Sequence, residues 1–206
     1  ADDSTIDGEP LDPDGPDRGD GLRKISVTKN PALDAFDDVL EGGSKPDKLI
    51  GGLEIDRLRG KKRDDLLRGH QGTDYLFGGA GNDTLHAGKG SDVLQGKGGA
   101  DLLIGYSGDD ALYGGTGADT LRGAAGRDVF ILSRGADVVT DFNLKKDGIG
   151  LVNALNLTFI QKEDDLLIKD SEAGVKTLLL NVDRDDFLAE FPSNLQMVPA
   201  VEVDVL

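Results

Sequence analysis

An aspartate recurs at every ninth residue through the middle of the chain, from Asp47 to Asp128, without a single insertion. Carboxylates are hard oxygen ligands, so a regular row of them is suited to binding cations. Glycine is abundant around them, with 30 in the chain, while cysteine is absent. Oxygen ligands from carboxylates and backbone carbonyls in flexible turns favour Ca²⁺ over Mg²⁺ and over transition metals. The residue types and their spacing therefore predict a row of calcium sites.

The repeating unit can be counted from Gly42 as ten consecutive nonapeptides. Its first six residues hold the glycines, which allow tight turns, and its last three fit a short strand with only the middle side chain facing inward. The sixth position is always aspartate: Asp47, Asp56, Asp65, Asp74, Asp83, Asp92, Asp101, Asp110, Asp119 and Asp128. The eighth is apolar throughout: Leu49, Leu58, Leu67, Leu76, Leu85, Leu94, Leu103, Leu112, Leu121 and Phe130.

Two units make one coil of a solenoid, so the ten units predict five stacked coils. Stacking places the aspartate of one unit about 5 Å from that of the unit two further on. Two such carboxylates repel by about 3 kcal/mol at an effective dielectric near 20, and a bound dication converts that repulsion into cross-linking. The alternative is a calcium-free solenoid whose aspartates only cap turns through Asx hydrogen bonds.

These units resemble the RTX (hemolysin-type calcium-binding repeat) family, with the best matches at residues 78–86 and 114–122. The resemblance covers about residues 42–140. It implies an all-β fold, a right-handed parallel β-roll stapled by calcium, with caps at both ends. It also implies that each ion lies between units n and n+2, bound by both aspartates. The carbonyls at positions 2 and 4 of one unit and at positions 1 and 3 of the other complete the site.

Carried onto this chain, the resemblance implies one site from Gly79, Gly81 and Asp83 with Gly96, Gly98 and Asp101. The next site uses Gly88, Gly90 and Asp92 with Gly105, Ser107 and Asp110. The full set of implied aspartate ligands is Asp74, Asp83, Asp92, Asp101, Asp110, Asp119, Asp128 and Asp137. The implied carbonyl ligands belong to His70, Gly72, Gly79, Gly81, Ala87, Gly88, Lys89, Gly90, Gly96, Lys97, Gly98, Gly99, Gly105, Tyr106, Ser107, Gly108, Gly114, Thr116, Gly117, Gly123 and Ala125.

Pairing these aspartates two units apart predicts five ions between Asp74 and Asp128. An eleventh, worn unit begins at Leu132, and its Asp137 frames a sixth site with Asp119. The expected number of calcium ions is therefore about six, within a range of five to eight.

The first three units depart from the pattern, since position 4 holds Lys45, Glu54 and Arg63 in place of glycine. A residue other than glycine is not expected to adopt the ion-wrapping turn there. Residues 42–68 carry eight Lys or Arg against five acids. One hypothesis is that Lys45 and Arg63 replace calcium beside Asp47 and Asp65, so that no ion lies between those two aspartates. The alternative is a solvated basic face.

The segments before the roll divide into two regions. Residues 1–21, acidic and rich in Pro and Gly, are predicted to form a disordered leader. Residues 22–41 are predicted to cap the roll with a strand over 22–28 and a helix that begins at Asn30 and Pro31. The apolar stripe of that helix would be Leu33, Phe36 and Leu40, lying over the first coil.

After the roll, residues 141–191 are predicted to form a β cap, and residues 192–206 a tail. Strands are expected at 129–133, 138–142, 148–152, 157–160, 166–169 and 177–182. Residues 136–142 with 147–151 resemble the segment that closes RTX rolls. The tail is similar to the uncleaved signal of type I secretion substrates, with a short solvated tail as the alternative.

Composition excludes several classes of function. A net charge of −16, from 39 acidic and 23 basic residues, argues against nucleic acid as a partner. No apolar run is long enough to span a membrane, and without cysteine neither disulfides nor zinc–thiolate sites can form. No His-Glu-x-x-His or Gly-x-Ser-x-Gly motif is present, and both histidines, His70 and His86, lie inside repeats, where they are predicted to be solenoid surface. The chain is therefore expected not to be an enzyme.

The function expected from these observations is that of a secreted, extracellular calcium-binding roll, which folds when it meets calcium after export by a type I secretion apparatus. Extracellular modules bind calcium at about 10⁻⁴–10⁻³ M, and their binding free energy becomes folding free energy. Two alternatives stay open. One is a self-assembling structural protein or adhesin of the cell surface, and the other is the C-terminal module of a larger secreted hydrolase or toxin.

Overall fold

A computed structural model describes residues 5–6, 9–10, 23–26, 39–151, 156–170, 172–190 and 195–197 of the chain, with the strands before residue 39 and after residue 190 described by their backbone. The elements are β1 Thr5–Ile6, β2 Glu9–Pro10, β3 Arg23–Ser26, β4 Val39–Glu41, β5 Asp47–Leu53, β6 Arg57–Lys62, β7 Leu66–Gln71, β8 Tyr75–Ala80, β9 Thr84–Lys89, β10 Val93–Gly98, β11 Leu102–Ser107, β12 Ala111–Gly117, β13 Thr120–Ala125, β14 Val129–Ile131, β15 Arg134–Gly135, β16 Asp137–Val139, β17 Gly148–Leu151, β18 Thr158–Lys162, β19 Asp165–Asp170, β20 Val175–Leu179, α1 Arg184–Glu190 and β21 Leu195–Met197.

Strands pair in parallel with the second strand along the chain, which is the pairing of a solenoid. In one ladder β5, β7, β9, β11 and β13 follow each other, and in the other β6, β8, β10, β12 and β14. The register is 18 residues, so that Leu49 lies beside Leu67 and Leu58 beside Leu76. About six turns stack in this way. The predicted all-β parallel β-roll is confirmed, and the repeat strands have six or seven residues where the unit predicted three.

The core of the roll is one column of leucines on each ladder. The leucine at position 8 of every unit from Leu49 to Leu121 is almost completely buried, and Phe130 continues the series. Each strand contributes few large side chains, so the roll is thin and its interior holds little beyond these two columns. Among the described residues, the core is wider at the C-terminal end, where Phe130, Phe142, Phe187 and Phe159 form a chain of ring contacts with centroids 5.7–6.0 Å apart.

The C-terminal end of the roll is covered by later strands. β18, β19 and β20 form an antiparallel meander, and β20 pairs in parallel with β16. β17 extends the other ladder by pairing with β14, and β21 pairs with β17. The predicted strands lie within a few residues of their predicted bounds, whereas β21 falls in the segment predicted to be a tail. The short helix α1, which buries Phe187, was not predicted.

At the N-terminal end, β3 pairs in parallel with β5, within the segment predicted to be a strand. The predicted helix falls on residues outside those described, except for its last residues. Leu40 lies in β4 and is buried beside Leu58, so the apolar residue expected on a helix continues the leucine column. In the predicted leader, β1 and β2 pair antiparallel. Within the described ranges, no helix is both long and apolar enough to cross a bilayer.

Candidate metal centre

The repeat aspartates are buried and joined in a ladder. From Asp65 to Asp137, each Oδ1 accepts a hydrogen bond from the backbone N–H of the aspartate 18 residues earlier, as in Asp83 N to Asp101 Oδ1 (2.7 Å) and Asp101 N to Asp119 Oδ1 (2.9 Å). The ladder begins with Asp47 N to Asp65 Oδ1 and ends with Asp128 N to Asp147 Oδ1. Every repeat aspartate is at most 3% exposed. From Asp65 onward, one oxygen of each ladder carboxylate therefore accepts a backbone hydrogen bond from the preceding coil.

The second carboxylate oxygen of the central aspartates has no partner. Seven buried Oδ2 atoms make no hydrogen bond in the structure, namely those of Asp65, Asp74, Asp83, Asp92, Asp101, Asp110 and Asp119. A buried charged oxygen without a partner costs more than about 1–3 kcal/mol. An array of seven such oxygens is the donor set that a row of hard cations would satisfy. The residues present therefore fit calcium.

Both ends of the ladder differ, because there the protein itself supplies a donor to Oδ2. Asp47 and Asp56 accept the N–H of Gly43 and of Gly52, each at 2.6 Å. At the other end, Asp137 Oδ2 accepts the Ser133 hydroxyl at 2.8 Å. Asp147 Oδ2 accepts the N–H of Asn143 at 2.8 Å. In all four cases the donor lies four residues before the aspartate, so the array of unpartnered oxygens has a defined beginning and end.

The turns that face these oxygens have left-handed backbone at positions 2 and 4. Gly90 at position 4 has φ +131°, and a Cβ there would collide with the carbonyl oxygen of Gly72 one coil below. The stacked position-4 carbonyls thus lie directly under the next turn, where only glycine leaves room. Position 2 is more tolerant, since His70, Lys97, Tyr106 and Ala124 adopt φ of 73–86° there. Their side chains vary without removing the backbone carbonyl that the resemblance assigns to calcium.

Arg63 overturns part of the sequence analysis. It sits at position 4 with φ +76°, and its N–H donates to Ala80 O at 2.6 Å, the same bond that Gly72 makes to Lys89 O. Arg63 therefore makes the backbone hydrogen bond of this turn at a φ well below the +126° to +156° of the position-4 glycines, so it does not adopt their conformation. The Arg63 side chain is exposed and makes no ion pair among the described residues. The hypothesis that it neutralises Asp65 is wrong, whereas the role suggested for Lys45 stays a prediction.

Three other basic residues of this region, Arg57, Arg59 and Lys61, lie on an exposed or half-exposed face, which agrees with the alternative interpretation for these three. Arg59 and Lys61 pair with Glu41 at 3.2 and 3.0 Å. Arg57 lies over the ring of Tyr75, and Arg59 also lies over that of Phe77. These cations contact an exposed acid and aromatic rings, and not the carboxylates of the buried ladder.

The ladder carboxyls are held in an environment that disfavours their charge. Burial raises the pKa of Asp83 and Asp92 to about 6, of Asp65, Asp74 and Asp101 to about 7, and of Asp110 to about 8. The hydrogen bond from the preceding aspartate's backbone opposes this effect, and neighbouring carboxylates add to it at Asp110. A cation beside these groups would remove both penalties.

These raised pKa values predict how pH acts on the calcium-free roll. The folded state binds more protons than the unfolded chain between about pH 4 and pH 8, so the free energy of unfolding should rise as pH falls and be lost as pH rises through the folded pKa values. Calcium needs the ionised form, so the calcium concentration at half-folding should increase on acidification. Circular dichroism titrations at about pH 8 and about pH 5.5 measure both quantities. Equal calcium midpoints at the two pH values would contradict the prediction.

The structure places the predicted aspartate ligands together in the ladder and gives hydrogen-bond partners for two of the predicted carbonyl ligands. The eight aspartates assigned to calcium lie in the ladder, and the carbonyls of Gly88 and Lys97 each accept a side-chain hydroxyl at 3.3 Å, from Ser107 and Thr116. Among the described residues, no group of three or more His, Cys, Asp or Glu side chains surrounds a single point. Two aspartates per gap with backbone carbonyls is consistent with that.

Sequence reasoning missed the residues that close the ladder. Asp147 accepts the last backbone bond, and Asp141 accepts the N–H groups of Gly123 and Ala124 at 3.1 and 2.9 Å. Ser133 is the one side-chain hydroxyl that donates to a ladder Oδ2 among the described residues. A serine at position 2 of the worn eleventh unit was the available signal, since no earlier unit has a serine or threonine there.

Comparison with known proteins agrees with this geometry. The sequence model of the RTX calcium-binding nonapeptide repeat matches four times, at residues 34–54, 50–85, 86–121 and 104–139. A search of curated proteins found no match. Among solved structures, the chain is similar to the extracellular lipase LipA from Serratia marcescens, with 18% identity and a TM-score of 0.36, over 78% of this chain and 42% of the lipase. The chain thus spans less than half of the lipase.

A second similar structure is a repeat subunit of the mannuronan C5-epimerase from Azotobacter vinelandii, with 19% identity and a TM-score of 0.23 over 89% of each chain. The four family matches together cover residues 34–139, half of the chain, and they coincide with the coils that carry the aspartate ladder. With that match and its nine-residue period visible in every coil, the chain belongs to the family of RTX calcium-binding nonapeptide-repeat proteins.

Proposed function

We propose that this chain is an extracellular calcium-binding β-roll, which is exported unfolded and folds when calcium fills the gaps between its coils. The observation that supports the proposal is the array of seven buried carboxylate oxygens without a partner. Bound calcium would supply positive charge to oxygens that the protein alone leaves uncompensated. Since the unfolded chain has no preformed site, binding free energy would appear as folding free energy.

Each ion would be held by two aspartates 18 residues apart and by carbonyls of the two turns between them. The gaps that fit best are Asp74/Asp92, Asp83/Asp101, Asp92/Asp110, Asp101/Asp119 and Asp110/Asp128. In all five, at least one aspartate has an unpartnered Oδ2. The gap Asp65/Asp83 joins them because both of its Oδ2 atoms lack a partner and Arg63 keeps the backbone bond of a glycine turn. The Asp119/Asp137 gap is less suited, since Ser133 already donates to Asp137.

The location outside the cell follows from the affinity range expected of such sites. Sites of about 10⁻⁴–10⁻³ M stay empty at cytoplasmic calcium levels and fill outside the cell. An acidic exterior, the absence of cysteine and a metal-dependent fold suit one-step export by a type I apparatus. Within this proposal the repeat region binds calcium and carries no catalytic centre of its own.

Counting the ions tests the proposal directly. Equilibrium dialysis in millimolar calcium, followed by elemental analysis, should find about six calcium ions per chain, within five to eight. A calcium-soaked crystal should place them between the central coils and leave the Asp47/Asp65 gap empty. Fewer than four ions per chain, or ions at the two ends of the ladder only, would contradict the proposal.

A further inference from the structure

The outer face of the roll carries a cleft whose lining side chains are not among the proposed calcium ligands, although the backbone carbonyls of several of these residues are. Its volume is about 620 Å³, and its lining side chains are those of Arg68, His70, His86, Lys89, Tyr106 and Ser107. They come from β7, β9 and β11, three successive strands of one ladder. The ladder explains why the cleft exists. His70, Gly88 and Tyr106 occupy the same register position on the three strands, so the glycine leaves a gap of about two strand spacings, roughly 10 Å, between the imidazole and the phenol.

The cleft is cationic in a strongly acidic protein. No lining residue is acidic, although the chain has 39 acids and a net charge of −16. Within the part of the chain that the structure describes, Arg68 and Lys89 make no ion pair, unlike Arg59, Lys61, Arg122 and Arg184, which each pair with an acid. Cations left uncompensated in a concave site favour an anionic ligand.

Arg68 adds a second and independent observation. Its Nε is buried and has no hydrogen-bond partner in the structure. Burying a guanidinium N–H without an acceptor is unfavourable, and an oxyanion is the acceptor that satisfies a guanidinium best, through two parallel hydrogen bonds. The residue directly after Arg68 in the ladder is His86, which offers no carboxylate to fill that role.

The remaining lining residues provide a flat, partly apolar wall. His86 and Tyr106 contact each other edge to face, with ring centroids 5.7 Å apart, and Tyr106 is 45% exposed. The Ser107 hydroxyl donates a hydrogen bond to Gly88 O at 3.3 Å. An exposed aromatic beside a cationic group is suited to a ligand that joins an oxyanion to a flat ring.

We propose that this cleft binds a small ligand through an oxyanion, a carboxylate or a sulfate-like group held by Arg68 with Lys89 at the rim, against the wall formed by His86 and Tyr106. The site is separate from the ladder carboxylates and is present on one face of three coils only, so it is a ligand-binding function distinct from calcium-driven folding.

The two histidines allow a direct test, because both histidines of the chain line the cleft. Proton NMR of their Cε1–H signals in the calcium-loaded protein, at constant pH and with about 0.1 M ionic strength held by chloride, reports on the cleft alone. The probes are sulfate, benzoate and benzamide, the last being a neutral analogue of benzoate. Sulfate and benzoate should shift both signals saturably, and benzamide should need at least about tenfold higher concentration.

Variants separate the cleft from general surface charge. Arg68→Gln, and independently Lys89→Gln in case the first variant folds poorly, should weaken benzoate binding about tenfold for Arg68 and a few-fold for the exposed Lys89. Arg122→Gln is the matched control, since Arg122 occupies the same register column as Arg68, three coils away along the ladder beyond His86 and Ile104, and pairs with Asp141 outside the cleft. It should leave binding unchanged. The calcium counts of Arg68→Gln and Arg122→Gln should equal that of the parent.

The outcomes divide cleanly. Tighter binding of benzoate than of sulfate supports an oxyanion carried on a ring, and equal binding supports a bare oxyanion. The proposal is overturned if neither anion moves the histidine signals, if benzamide acts as strongly as benzoate, or if Arg122→Gln weakens binding as much as Arg68→Gln. A loss of calcium binding in every protein would refute the proposed function instead, because the ion count is measured separately.

Discussion

Excess chelator should abolish most of the strand signal of this protein, and millimolar calcium should restore it. Seven buried carboxylate oxygens without partners cost on the order of 10 kcal/mol in the metal-free roll, as much as the whole stability of a typical domain. Two thin columns of leucine cannot offset that cost together with the chain entropy of more than 80 ordered roll residues. Far-ultraviolet circular dichroism against free calcium concentration measures the transition.

The specificity of the transition provides its control. Magnesium at the same concentration should restore little of the signal, because it demands near-octahedral geometry and gives up its waters reluctantly, while these gaps offer carboxylates and carbonyls from two separate coils. A chain that keeps its strand signal in chelator near neutral pH would show that the aspartates act as turn caps only. Equal recovery in magnesium would show that the gaps are not selective for calcium.

The fold was predictable because a solenoid repeats one local solution. A nine-residue period with aspartate at position 6 and leucine at position 8 has only one economical arrangement, in which the leucines stack inward and the units alternate between two ladders. The elements outside the period were harder. The helix at Arg184–Glu190 depends on the contact of Phe187 with the aromatic cluster at the end of the roll. No local sequence pattern predicts such a tertiary contact.

The aspartate ladder was predictable residue by residue, but its limits were not. From sequence alone only the position-4 residue sets the first three repeats apart, whereas in the structure the second carboxylate oxygen distinguishes the aspartates. Whether it accepts a bond depends on the turn before it. Gly52 at position 2 of its unit turns its N–H toward Asp56, whereas Gly79 adopts φ +123° and leaves Asp83 Oδ2 unpartnered. The same residue type at the same position therefore gives opposite results.

Arg63 shows a second limit of the same kind. Its charge suggested a substitute for calcium, yet its backbone keeps the hydrogen bond of the glycine turns and its side chain is exposed to solvent. Backbone energetics explain this, since a single left-handed residue costs about 1–2 kcal/mol. That is less than the cost of burying a guanidinium inside a thin roll, which reaches several kcal/mol. Charge alone therefore did not predict where the array of unpartnered oxygens begins.

Two matched substitutions should separate calcium ligands from capped aspartates. Asp101→Asn and Asp56→Asn remove the same charge from the same position of two repeats, and both residues are buried. Asp101 borders two proposed ion gaps, toward Asp83 and toward Asp119, and its Oδ2 has no partner. Asp56 borders none, and its Oδ2 accepts the Gly52 N–H.

For Asp101→Asn we expect the ion count to fall by up to two and the calcium midpoint of folding to rise by at least about tenfold. Loss of an outer-shell partner of a metal ligand already lowers metal affinity about 10–100-fold, and Asp101 is proposed to be a ligand itself. For Asp56→Asn the ion count should stay that of the parent, while the free energy of unfolding falls by about 1 kcal/mol through a weaker hydrogen bond from Gly52. Elemental analysis after dialysis gives the counts, and calcium titrations followed by circular dichroism give the midpoints. Equal losses of calcium in the two variants would mean that the carboxylates at the end of the ladder bind ions as the central ones do, and that the hydrogen bonds from Gly43 and Gly52 do not mark its boundary.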